Sequence, residues 1–152
     1  MGAVDLYQDM LLDHARQPRH VGPVPAAERQ VTHENRLCGD AVTVYVAGLA
    51  GGGLAVGCAT AGCALCRASA SIMAQSVQGL LPAAARAAVD AFLTAFPGTA
   101  PPAGDAAVVA LYDLRRYPTR ERCVLLPWEA LEKALVDENP PLGDNGKGPN
   151  SP

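Results

Sequence analysis

Five cysteines, Cys38, Cys58, Cys63, Cys66 and Cys123, carry the chemistry open to this chain. A thiolate is both a nucleophile and a soft metal ligand. Cys38 stands two residues before Asp40, and Gly39 between them lets both side chains reach one ion. Cys63, in AGCALCRAS, falls at a strand-to-helix junction, where the positive end of the helix dipole favours a thiolate. Cys123, in RERCVLLPW, precedes a final helix. Three thiolates and one carboxylate make a four-donor tetrahedral set for zinc, with Zn–S near ~2.3 Å. Such a site is net negative, and Arg67 and Arg122 are the cations placed to offset it.

Other readings of the same residues stay open. Cys58-x4-Cys63-x2-Cys66 has the C-x4-C-x2-C spacing of plant-type ferredoxins. That cluster would leave Cys38 unused and would take Cys66 from inside the first turn of a helix. Cys63-x2-Cys66 is also a redox-pair spacing, but no thioredoxin-like βαβ pattern surrounds it. Buried cysteines acting as small hydrophobes are the plainest alternative, and Cys58 reads best that way. Of the histidines, His14 lies on a helix and His20 in a Pro-rich loop. These two and His33 read as surface or partner contacts rather than ligands.

The elements that must position these groups are legible. Residues 4–16 form a helix, with Leu6, Met10 and the Leu11/Leu12 pair near one face, limited by Pro18. Strands are predicted near 29–34, at 41–49 and at 54–62, the last two joined by a hairpin turn at Gly51-Gly52-Gly53. Helices follow at 64–79, ended by Gly79, at 82–96, opened by Pro82, and from Asp105 to about Leu114. PGTAPPAG, residues 97–104, is a loop. Pro127 is expected to open the last helix, PWEALEKALVDE. Residues 1–138 then make one domain, and 139–152 a disordered tail.

Composition narrows the function classes. The chain has 152 residues, 49% hydrophobic and 18% charged, enough for one buried core. A net charge of −3 argues against a nucleic-acid-binding surface, and 5% aromatic residues argue against a stacking platform for single strands. No apolar run is long enough for a membrane span. Asp5, Asp9 and Asp13 are foreign to a signal peptide, so a cytoplasmic location is expected. An odd cysteine count there favours metal or thiol chemistry over a disulfide framework.

Several motifs in sequence then point one way. LYQDMLLDHARQPRHVG, HENRLCGD, GCALCRASASIM and RRYPTRERCVLLPWEAL resemble, in the same order, the SufU branch of the IscU/NifU-type proteins of iron–sulfur cluster assembly. Cys63 and Cys123 are 60 residues apart, which resembles the longer spacing of that branch. Arg122 stands where scaffold-type members usually carry a histidine, and YPTRE replaces their chaperone-binding stretch.

The resemblance implies an α+β fold with a small three-stranded antiparallel sheet covered by helices. It implies Cys38, Asp40, Cys63 and Cys123 as metal ligands, zinc as the metal, and Cys38 as the catalytic thiol that accepts sulfur. A cysteine desulfurase would supply persulfide sulfur, and a downstream cluster scaffold or other sulfur acceptor would receive it. The alternative is a scaffold that assembles a transient [2Fe–2S] cluster on the same residues. A third reading is a binding module with a purely structural metal. Tyr117, Arg120 and Trp128 would shape the rim of the site or simply pack.

Overall fold

The computed structural model describes residues 3–37, 39–99 and 104–136. Three strands, β1 (Arg29–Asn35), β2 (Asp40–Gly48) and β3 (Leu54–Ala61), form an antiparallel sheet in the order β1-β2-β3. The Leu49–Gly53 hairpin uses Gly51 and Gly52 at φ +94° and +98°, a region that side chains resist. The sheet alternates as its period of two requires. Val42, Val44 and Val46 of β2 are wholly buried, whereas Gln30, Thr32 and Glu34 of β1 are exposed on the opposite face.

Helices cover the buried face. α1 (Ala3–Arg16) packs on α2 (Ala64–Val77) and on α4 (Ala106–Tyr112). α3 (Pro82–Ala95) packs on α5 (Glu121–Val136), and α5 lies against β1, β2 and α2. Trp128 of α5 stacks on Phe92 of α3 at 3.9 Å between centroids, and Phe96 and Tyr112 extend the aromatic cluster. Buried Ser69 ties α2 to α5: its hydroxyl accepts from Trp128 Nε1 at 3.0 Å and donates to the Val124 carbonyl at 2.6 Å.

Three expectations are corrected. The last helix starts at Glu121, six residues before Pro127, so Pro127 lies inside it. Proline has no N–H to offer the Cys123 carbonyl one turn back, a real loss. Burial of Cys123, Val124, Leu125, Leu126 and Trp128 outweighs it. The core-facing side of α1 is Tyr7, Met10, Leu11 and His14, while Leu6 and Leu12 are about half exposed. His14 is accordingly buried rather than on the surface, and its Nδ1 pairs with Ser71 Oγ at 2.7 Å. Residues 137–152, including the expected tail, lie outside the described residues, as do 100–103 of the expected loop.

Candidate metal centre

Antiparallel pairing of β2 with β3 sets Ala41 opposite Ala61, so the first residue of β2, Asp40, meets Gly62 and Cys63 just past the end of β3. Cys63 is the N-cap residue of α2, in extended conformation at φ −74°. Cys123 comes from the first turn of α5, not from a loop before it. The Asp40 carboxylate and the Cys63 and Cys123 sulfurs all lie within 4.8 Å of one another. Asp40 and Cys123 are buried, and Cys63 is partly exposed. Three of the four expected ligands therefore converge. Cys38 lies outside the described residues; its neighbours Leu37 and Gly39 are both in the turn between β1 and β2. Gly39 takes φ +78°, and Leu37 is 96% exposed.

The donor atoms fit a soft divalent cation. Asp40 Oδ2 is buried and has no hydrogen-bond partner. An ionised carboxylate left so in a protein interior is costly unless a cation compensates it. The Cys123 thiol is pushed up to about 12, first by burial and then by hydrogen bonding and negative charge from Cys63 and Asp40. Donors that repel each other's ionisation are what a divalent ion holds together. Zinc or iron suits two thiols with a carboxylate, whereas magnesium or calcium would want an all-oxygen shell.

Gly62 is a supporting residue that spacing alone did not single out. A β-carbon there would fall 2.5 Å from Asp40 Oδ1 and 2.6 Å from its Cγ. The remaining expectations resolve around this cluster. Arg122 is held by Glu129, at 2.7 and 3.2 Å, and Glu129 also meets His33 Nε2 at 3.1 Å. Arg67 donates to the Ala15 carbonyl at the end of α1. Cys58 is buried in β3 with its thiol pushed up to about 12 by that burial, and Cys66 is wholly buried in α2. Among the described residues Cys58 and Cys66 do not join the donor cluster, so the ferredoxin-type set is not assembled. Trp128 packs in the core, whereas Tyr117 and Arg120 stand with Gln8 at the rim of an open cavity of about 450 Å³ that Cys63 also lines.

A small antiparallel sheet backed by helices, with Asp, Cys and Cys gathered at one end, defines a class. The chain belongs to the NifU-like N terminal domain family, which it matches over residues 6–137, and this is a family of iron–sulfur cluster assembly proteins. Relatives make the class concrete. The chain is 30% identical to the iron–sulfur cluster assembly scaffold protein IscU of Streptococcus pyogenes serotype M1, over 92% of this chain and 94% of that protein. It is 29% identical to the zinc-dependent sulfurtransferase SufU of Bacillus subtilis (strain 168), over 88% and 91%. Its fold matches the crystal structure of FiSufU from Fervidobacterium islandicum AW-1, a protein assigned as an iron–sulfur cluster assembly scaffold for the SUF system. That match has a TM-score of 0.71 and 28% identity, and covers 88% of this chain and 99% of that one. The three-stranded sheet with its helices is thus the fold the motifs implied. No helix among the described residues is long and apolar enough to cross a membrane.

Proposed function

We propose that this chain is a zinc-dependent sulfur carrier for iron–sulfur cluster assembly, which accepts persulfide sulfur from a cysteine desulfurase. The observation that carries the reading is the convergence of Asp40, Cys63 and Cys123, with one Asp40 carboxylate oxygen, Oδ2, buried and without a hydrogen-bond partner. Asp40, Cys63, Cys123 and Cys38 would hold the zinc. When bound, zinc keeps its thiols deprotonated at neutral pH and ties three chain segments together.

In this reading Cys38 is the catalytic thiol. Its thiolate attacks the outer sulfur of the desulfurase persulfide. The bond between the two desulfurase-borne sulfurs breaks, and its electron pair returns to the desulfurase cysteine. Asp40, Cys63 and Cys123 retain the ion while Cys38 turns over. The recipient is a cluster scaffold or another sulfur acceptor, and the cytoplasm, where thiols stay reduced, is the compartment that suits the chemistry.

Likeness to a scaffold protein named IscU favours a second reading, in which the same residues assemble a transient [2Fe–2S] cluster as cargo. One assay separates the two. Desulfurase turnover is measured with cysteine and reductant, without iron, with and without the zinc-loaded chain. A large rise in sulfide release that Cys38→Ser abolishes supports the carrier. No rise, with a coloured cluster after iron reconstitution, supports the scaffold.

A further inference from the structure

Cys63 and Cys123 stand within reach of each other. Their sulfurs lie within 4.8 Å, and the two thiols hydrogen-bond. Helix ends fix both positions: Cys63 is the N-cap of α2, and Cys123 sits in the first turn of α5. A disulfide needs its sulfurs ~2.05 Å apart, so at most about 3 Å of approach is missing. Rotation of one cysteine side chain between staggered positions moves its sulfur by about that much, with no shift of strand or helix.

The two sulfurs differ in access. Cys63 is partly exposed and lines an open cavity of about 450 Å³ with Gln8, Leu65 and Tyr117, so a small oxidant reaches it from solvent. Cys123 is 8% exposed. The other described thiols are placed differently. Cys66 has the spacing of a redox pair with Cys63, but it is wholly buried in α2 and stands outside the donor cluster. Cys58 is buried in β3, also outside the cluster. Among the described residues, Cys63 and Cys123 are the thiols that converge.

We propose that Cys63 and Cys123 form a redox-sensitive lock on the centre: in the metal-free chain a small peroxide joins them as a disulfide, which bars the metal until a reductant opens it. The Cys63 sulfur attacks one oxygen of hydrogen peroxide, and the O–O bond breaks. The departing hydroxide takes the Cys63 proton and leaves as water, so Cys63 becomes a sulfenic acid. The Cys123 sulfur then attacks that sulfur. The S–O bond breaks, and the departing hydroxide takes the Cys123 proton as a second water. Peroxide is thereby reduced to water, and the two thiols are oxidised to one disulfide. A thiol reductant reverses the change by exchange. The bond consumes two of the three donors that meet here and leaves Asp40 without them. Neither the choice of zinc or iron nor the route of sulfur enters this step, so the lock stands apart from the carrier reading.

The test uses the full chain, stripped of metal by a chelator in the absence of oxygen and then given one equivalent of hydrogen peroxide. Free thiols are alkylated, and non-reduced peptides are mapped by mass spectrometry. A Cys63–Cys123 cross-link is expected as the main product, and Cys38→Ser and Cys66→Ala should both retain it. A main product joining Cys63 to Cys66, or either cysteine to Cys38, overturns the proposal. Urea reads the contribution of the fold. An unfolded chain favours short loops such as Cys63–Cys66, so the pairing across 60 residues should fall away there. Persistence of the same main product in urea also overturns it. Metal loading is followed by competition with a chromophoric chelator. Losing one outer support of a ligand costs about 10–100-fold in metal affinity. Two ligands go here, so zinc binding should weaken by about 100-fold or more and return with a thiol reductant. Undiminished zinc affinity in the oxidised chain refutes the lock even where the cross-link forms.

Discussion

A single methyl group at position 62 tests the geometry of the centre without removing a donor. In Gly62→Ala the new β-carbon would lie 2.5 Å from Asp40 Oδ1, 2.6 Å from its Cγ and 3.0 Å from its Cβ. Ordinary contacts lie near ~3.5 Å, so the carboxylate must retreat by about 1 Å. Rotation about the side chain cannot relieve all of this, because the Cβ of Asp40 is itself close. Gly62 is not among the glycines with positive φ, so alanine meets no backbone penalty there. A metal tolerates ligand displacements of about 0.2 Å, and loss of a ligand's support typically weakens binding 10–100-fold. The expected outcome is zinc affinity lower by about 10–100-fold, or about 1.4–2.8 kcal/mol. Competition against a chromophoric chelator measures it. The chelated form should also melt somewhat below the parent, since without an ion the Asp40 carboxylate can rotate away but the contact with its Cβ at 3.0 Å remains. In an Asp40→Ala background the added methyl should cost less, because Oδ1 and Cγ are gone and only the Cβ at 3.0 Å remains. Zinc affinity within threefold of the parent would refute the argument that Gly62 holds the carboxylate in place.

Other consequences follow from the same structure. Ser69→Ala removes the acceptor of the Trp128 indole N–H, leaving that buried group unmatched, and removes the second donor to the Val124 carbonyl, which keeps its place in the α5 helix. The expected loss is about 1–3 kcal/mol in urea unfolding, and a change below about 0.5 kcal/mol would count against the link. Phe92→Ala deletes the ring stacked on Trp128 and should cost about 3–5 kcal/mol, read by the same method with a change in tryptophan fluorescence. The His14 pKa lies below its ordinary 6.5, chiefly because burial disfavours the charged ring and then because Arg19 is nearby. Stability should therefore be full above about pH 6.5 and fall as pH drops through 6.5 toward the lower native value, because only the unfolded chain takes up the proton. His14→Gln should flatten that part of the melting-temperature profile, and an unchanged slope would exclude His14 as its source. Cys58 and Cys66, buried and off the cluster, should resist iodoacetamide in the native protein, while Cys63 reacts after zinc is chelated.

Much of this protein is written locally. β-branched runs at 41–49 and 54–62, the glycines between them, and Pro82 and Gly79 at helix ends depend on short-range sterics, and the structure places elements there within a residue or two. The residue types at Asp40, Cys63 and Cys123 mark them as possible donors, and the ordered motifs are specific enough to indicate the family. What sequence alone misjudged depended on partners distant in the chain. Pro127 looks like a helix opener because local rules penalise proline in a helix interior, yet the apolar residues before it are buried against the sheet and α2. His14 reads as polar and exposed until Ser71, 57 residues away, supplies its hydrogen bond. Gly62 gains its role only through strand register, which sets it against the Asp40 carboxylate. Residue types and spacing thus determined which groups could bind a metal. The tertiary fold decided which of them meet, because convergence depends on strand pairing and helix packing between segments up to 83 residues apart.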